Sequence, residues 1–204
     1  MIVVVLVLKM PVSTRLSLQF EGAPADCTTT VIVLSGRVYF LDIRFRGAAL
    51  QWAFAGTRYE LENNQVAFKH IIDSLGQGKK EDVGTMKSLD SGNTEERGSM
   101  LNPASGKVEP YTEVWRTLQP DPQGWILESV DEEGKCFIAS LGAHYLSMQS
   151  PAEGEAFNIL YQENDFVAFQ HGRGIRKQDI GAPPHVQDET IFIQGREFLV
   201  REVL

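Results

Sequence analysis

Residue types alternate with a period of two again and again along this chain, and that pattern narrows its fold more than any other feature. In TRLSLQF, Leu16, Leu18 and Phe20 fall on one side and Arg15, Ser17 and Gln19 on the other. In VYFLDIRFR, Tyr39, Leu41, Ile43 and Phe45 share one side, while Asp42, Arg44 and Arg46 share the opposite one. Successive side chains of a strand point to opposite faces, so such runs read as strands. TVIVL, LQWAFAG and VAFKHIIDS follow the same rule, the last with Phe68, His70 and Ile72 on one face. VGTMKSL and ERGSML read as shorter strands. The second half continues with GWILESV, KCFIASLG, HYLSMQ, AFNILYQ, FVAFQHG, TIFIQG and EFLVREVL. Polar, glycine-bearing stretches such as SGR, DSGNTEE, DEEG and GAPPHVQDE separate them. YTEVWRTL, residues 111–118, is the one convincing helical candidate, and even it allows an extended reading.

Many short strands at even spacing define an all-β sandwich or barrel. Closure into a barrel removes exposed strand edges and turns alternate residues toward an interior. A weak internal echo suggests two such units: TTVIVLSGRVYFLDIRF and QGWILESVDEEGKCFIASLG each give strand, polar turn with glycine, strand. We therefore expect two tandem antiparallel β-barrels, one over residues 1–101 and one over 119–204, joined by a connector at 102–118 that contains the Pro- and Gly-rich NPASGKVEP. One face of VYFLDIRFR then packs a core, and the charged face either lines a polar cavity or meets water.

A formal net charge of −8 argues against nucleic acid, whose binding requires basic surfaces. The opening MIVVVLVLKMPVS is far shorter than the ~20 apolar residues a spanning helix needs. It also lacks the basic start and small-residue cleavage site of a signal peptide. It reads as a buried strand, or as an extension ahead of a second start at Met10, and the expectation is a cytoplasmic protein with no membrane span. Cys27 and Cys136 form no CxxC and no disulfide framework, so two reduced, mostly buried thiols are expected.

Motifs for familiar chemistry are missing. His70, His144, His171 and His185 are scattered with no HxxxH or HExxH spacing, so no metal site is expected. There is no GxSxG elbow and no P-loop, and the GxG of HGRGIRK lacks the third glycine and the strand–helix setting of a nucleotide site. What remains is a set of polar and aromatic side chains in apolar strands. Trp52 and Phe54 share a face. If 111–118 is extended, Tyr111, Glu113 and Trp115 share one too, with Arg116 opposite; if helical, Tyr111 and Trp115 stack one turn apart. A buried arginine needs a carboxylate, so Arg44 and Arg116 have Asp42 and Glu113 as available partners. His70, flanked by apolar residues, reads first as a core histidine.

Several stretches together resemble the fungal Hri1 family: STRLSLQF (13–20), FLDIRF (40–45), LQWAFAG (50–56), FKHIIDS (68–74) and GSMLNPASGKVEPYTEVWR (98–116). The likeness covers most of residues 13–118 and is looser after 120. It departs from the family pattern at Gln19–Phe20 and at Ile71. It implies two lipocalin-like β-barrels in tandem. Within the family the chain is also similar to short fungal proteins encoded with tropolone–sesquiterpenoid pathways. These are hetero-Diels–Alderases that join a tropolone o-quinone methide to a humulene-type macrocyclic polyene. That resemblance implies a pericyclase of meroterpenoid secondary metabolism that uses no cofactor and takes small hydrophobic substrates. Positioning two neutral partners can lower such a barrier by roughly 7–11 kcal/mol at the limit. Trp52, Phe54 and Trp115 would hold the hydrocarbon. Arg44, Arg116, Tyr111 or His70 would donate to the quinone-methide oxygen, and Glu113 or His70 would assist dehydration of its precursor. The other readings are a non-enzymatic Hri1-like ligand-binding or interaction module, and a lipocalin-style carrier or acid–base isomerase. A large dry cavity favours the enzyme; a cavity filled by its own side chains favours the module.

Overall fold

The computed structural model describes residues 12–76, 81–102, 104–132, 134–152 and 156–204. The apolar opening, residues 1–11, lies outside them. Eight strands form the first unit: β1 (Val12–Phe20), β2 (Thr30–Ser35), β3 (Tyr39–Arg46), β4 (Ala49–Glu60), β5 (Gln65–Asp73), β6 (Glu81–Ser88), β7 (Thr94–Asn102) and β8 (Lys107–Gln119). Each pairs antiparallel with the next, and β8 returns to β1, closing an up-and-down barrel. The second unit contains β9 (Gly124–Ser129), β10 (Cys136–Leu141), β11 (His144–Gln149), β12 (Asn158–Glu163), β13 (Phe166–His171), β14 (Thr190–Ile193) and β15 (Arg196–Val203). Its order is β13-β12-β11-β10-β9-β15-β14. The chain is all-β and antiparallel, as its alternation predicts. The hydrogen-bonded closure belongs to the first unit, whereas the second is a seven-stranded sheet ending in β13 and β14.

Residues 102–118, expected as a connector, hold the β7–β8 turn and nearly all of β8, the strand that closes the barrel. YTEVWRTL is therefore extended, and β-branched Thr112, Val114 and Thr117 suit that conformation. Another departure lies in β5. Phe68 and His70 face the barrel interior, but a register shift opposite Ala55/Gly56 turns Ile72 outward. Such a bulge inserts one extra residue and reverses the alternation after it, so Asp73 now points inward beside His70. Gly56 is required at this point, because a Cβ there would collide with the Lys69 carbonyl. Cys136 is buried and Cys27 is exposed, which corrects the expectation of two buried thiols.

The largest apolar cluster lies between the two units. Leu41, Ile43, Ile32 and Leu34 on the outer barrel wall pack on Phe137, Leu146, Met148 and Ile159 of the sheet. Phe45 stacks on Phe169 with centroids 4.6 Å apart. Fully burying each such side chain is worth about 1.5–3 kcal/mol, so this seam fixes the sheet to the barrel. Glu202 closes one end of it. Its carboxylate accepts the backbone N–H groups of Arg37 (2.6 Å), Val38 (3.0 Å) and Tyr39 (2.7 Å). The sheet's opposite face buries Leu127, Ile138, Tyr145, Leu160 and Phe198.

The seam accounts for the two-faced VYFLDIRFR strand. Its apolar side faces out, onto the second sheet, and Asp42 and Arg44 face into the barrel. Arg46, at the strand end, is exposed beside Asp26 at 3.5 Å.

Candidate ligand-binding site

The barrel interior encloses a cavity of about 70 Å³. Seven of the eight side chains singled out from sequence line it: Arg44, Trp52, Phe54, His70, Tyr111, Glu113 and Trp115. Arg116 does not. In extended β8 it sits between inward-facing Trp115 and Thr117, on the outer surface, and is exposed. It is corrected from candidate donor to surface residue.

The charged groups form connected pairs. Arg44 grips Asp42, two residues away on the same face of β3, through Nη2 (2.9 Å) and Nε (3.1 Å). Its guanidinium lies over Trp52 and Phe54, 4.8 and 5.1 Å from their ring centroids, a cation–π stack. Its Nη1 is 4.0 Å from Glu113. Arg15, which sequence reasoning did not select, binds Glu113 at 2.5 Å. Burial alone would make Arg44 easier to deprotonate, but Asp42 and Glu113 outweigh it and raise its pKa. The guanidinium therefore stays charged.

Glu96 stands directly opposite Glu113 across β7 and β8. Two carboxylates facing each other in a dry interior resist joint ionisation. Both arginines sit on Glu113, so Glu96 carries the proton more readily. Burial first, and then the Glu113 charge, push its pKa up to about 7. The Tyr111 hydroxyl donates to Glu96 Oε1 at 2.7 Å. Burial and the two carboxyls hold the Tyr111 phenol far above its usual pKa, so it remains a neutral donor. The Trp115 indole also acts weakly on the Glu96 carboxyl, but without the geometry of a hydrogen bond. Glycines make this packing fit. A Cβ on Gly98 would lie 2.7 Å from the Tyr111 hydroxyl oxygen, and one on Gly84 would lie 2.5 Å from Glu96 Oε1.

His70 stacks on Phe54 with centroids 4.1 Å apart, and its Nδ1 is 3.0 Å from Asp73 Oδ2. Asp73 also accepts from the Trp52 indole at 2.9 Å and the Leu75 amide at 2.8 Å. Burial opposes charge on both partners. The hydrogen bonds prevail, raising the His70 pKa and lowering that of Asp73. His70 Nε2 lies 3.3 Å from Asp82 Oδ2, an ion-pair contact that does not form a hydrogen bond. Among the described residues no three His, Cys, Asp or Glu side chains converge as a metal-binding group.

Four buried polar atoms in this wall lack a hydrogen-bond partner: Ser13 Oγ, Arg58 Nε, His70 Nε2 and Trp115 Nε1. Ser13, Arg15, Arg58, Asp73 and Glu96 were missed from sequence. Strand phase identifies Arg15 and Glu96 as inward once β8 is known to be extended, because their cross-strand partners Trp115 and Glu113 are inward. Asp73 had no such signal, since the bulge reverses its phase.

A closed antiparallel barrel with a charged, aromatic interior, carrying a second sheet on its outer wall, is the class of protein described so far. The family model described as Protein HRI1 matches residues 11–155, and the chain belongs to the HRI1 family. No curated protein matches the chain. Its fold is similar to the crystal structure of an uncharacterized protein, YLR301w, from Saccharomyces cerevisiae. The TM-score is 0.73 at 19% identity, covering 96% of this chain and 99% of that one. None of these matches bears on tropolone chemistry. Among the described residues no helix is long and apolar enough to cross a membrane.

Proposed function

We propose that this protein binds a small molecule inside its first barrel. The observation that carries the reading is the gathering around one cavity of buried polar atoms that make no hydrogen bond, Ser13 Oγ, Arg58 Nε and Trp115 Nε1, with His70 Nε2 held only by its ion-pair contact to Asp82. Each buried polar group left without a partner costs about 1–3 kcal/mol. A barrel needing only a filled interior would use aliphatic side chains there. Retaining Ser13, Arg58, His70 and Trp115 around a shared space suits a ligand that supplies hydrogen-bonding oxygens, with Phe40, Phe54 and Phe68 as its apolar walls. The test is a fragment screen by calorimetry on purified protein. A ligand should bind one per chain, and Trp115→Phe should weaken it about tenfold, the value of one buried hydrogen bond. Ligands that bind Trp115→Phe and Ser13→Ala proteins as tightly as the wild type count against the barrel site.

The hetero-Diels–Alderase reading draws on the same wall and has one observation in its favour. Arg44 lies over the Trp52 and Phe54 rings, which places a fixed cation beside an apolar surface. Such a cation would polarise a quinone-methide oxygen while the rings hold the polyene. Room weighs against it, because drug-sized ligands occupy pockets of about 300–1,000 Å³ and this cavity is about 70 Å³. Incubating the protein with a hydroxymethyl tropolone precursor and humulene separates the two readings. The binding reading predicts only racemic background adduct; one stereoisomer formed above background would favour the enzyme.

A further inference from the structure

The three arginines in the barrel wall are not alike. Arg15 has Glu113 and Arg44 has Asp42, each in direct contact. Arg58 on β4 is buried, lines the cavity, and has no carboxylate within ion-pair distance among the described residues. The acidic groups that influence it, Glu60 and Glu202, do so without touching it. Glu60 is exposed, and Glu202 is committed to three backbone amides. Burial disfavours the Arg58 charge. An uncompensated buried cation is among the costliest features a fold can keep, and an arginine cannot escape it by losing its proton.

The surroundings of Arg58 narrow what would compensate it. Phe68 is its cross-strand neighbour on β5, and Phe40 meets Phe68 edge-on with centroids 5.2 Å apart. Val66 and Met86 complete an apolar wall. Taking the barrel as a ligand site, we propose that its ligand is a small monocarboxylate. The carboxylate supplies Arg58 with the missing counter-charge, and a compact apolar body lies against Phe40, Phe68 and Met86. A guanidinium fork fits a carboxylate through two parallel hydrogen bonds. Glu96, the cross-strand neighbour of Met86, holds its proton more readily than an ordinary carboxyl, which limits repulsion of such an anion.

Calorimetric titration of the full chain with benzoate and butyrate, their neutral amides, and inorganic phosphate tests this. The carboxylates should bind at least tenfold more tightly than benzamide and butyramide, and phosphate should bind more weakly than either acid. Arg58→Met should remove the preference for acid over amide. Without ligand, the Arg58→Met protein should melt at the same temperature as the wild type or higher, because the uncompensated charge is gone. Amides binding as well as acids would overturn the carboxylate while leaving the barrel site standing. Phosphate binding most tightly would also overturn it. No binding by any probe would overturn both. An Arg58→Met protein that melts several degrees lower and binds benzoate unchanged would make Arg58 a structural residue and refute the proposal.

Discussion

Replacing Glu96 by Gln changes one proton in the barrel and almost nothing in shape, so its effect follows directly from the geometry. Glu96 faces Glu113 across the strand pair, and its pKa rises from an ordinary 4.5 to about 7. At 1.36 kcal/mol per pH unit, that rise is worth about 3 kcal/mol. The folded protein holds this proton more tightly than the unfolded chain does. Its contribution to stability is therefore complete below about pH 4.5, declines as pH rises, and is gone above about pH 7. The amide introduced by Glu96→Gln is neutral at every pH and still accepts from the Tyr111 hydroxyl. Titrating groups that do not interact with Glu96 are common to both proteins and cancel in the difference. Urea denaturation by circular dichroism at pH 5, 6, 7 and 8 measures it. Glu96→Gln should match the wild type within about 1 kcal/mol at pH 5 and exceed it by about 3 kcal/mol at pH 8. Stability curves that stay parallel from pH 5 to 8 would show that Glu96 is ionised throughout, and the facing-carboxyl account would be refuted.

Two further substitutions probe the frame around the cavity. Glu202→Ala removes three charge-assisted hydrogen bonds between the sheet and the β2–β3 turn. It should cost about 3–5 kcal/mol in urea denaturation, and a loss under about 1 kcal/mol would mean the amides find water instead. Gly98→Ala places a methyl group 2.7 Å from the Tyr111 hydroxyl oxygen. Overpacking of that kind costs about 1–3 kcal/mol, and an unchanged thermal midpoint would show that Tyr111 moves freely.

The all-β class was legible because period-two alternation is a backbone property that survives any tertiary setting. Which face turned inward was less legible. Leu41 and Ile43 look like core, and they are, but the core lies outside the barrel against a second sheet. That contact is set by residues far along the chain, such as Phe137 and Ile159, which local pattern does not register. Strand phase aligns Trp52 with Phe54, and Tyr111 with Glu113 and Trp115 once 111–118 is extended; that both sets line one cavity follows from closure of the barrel. Arg116 was separable by the same phase, once 111–118 is taken as extended. Asp73 and the His70–Asp73–Trp52 chain were beyond reach, because the β5 bulge changes phase midway through an otherwise regular run. Arg58 shares the strand phase of Trp52 and Phe54, but phase alone assigns it no role. Its meaning comes from the carboxylate it lacks, which only the packed barrel reveals.

The most direct test of a ligand inside the barrel is the indole N–H spectrum of the nitrogen-15-labelled protein, which has three tryptophans. Trp52 donates to Asp73, Trp115 makes no hydrogen bond, and Trp125 lies in the apolar layer of the second sheet. On titration with benzoate, the Trp115 resonance should shift as the ligand enters the cavity that Trp115 lines, while Trp125 stays in place. A spectrum in which Trp125 moves and Trp115 does not would put the ligand outside the barrel and contradict the account.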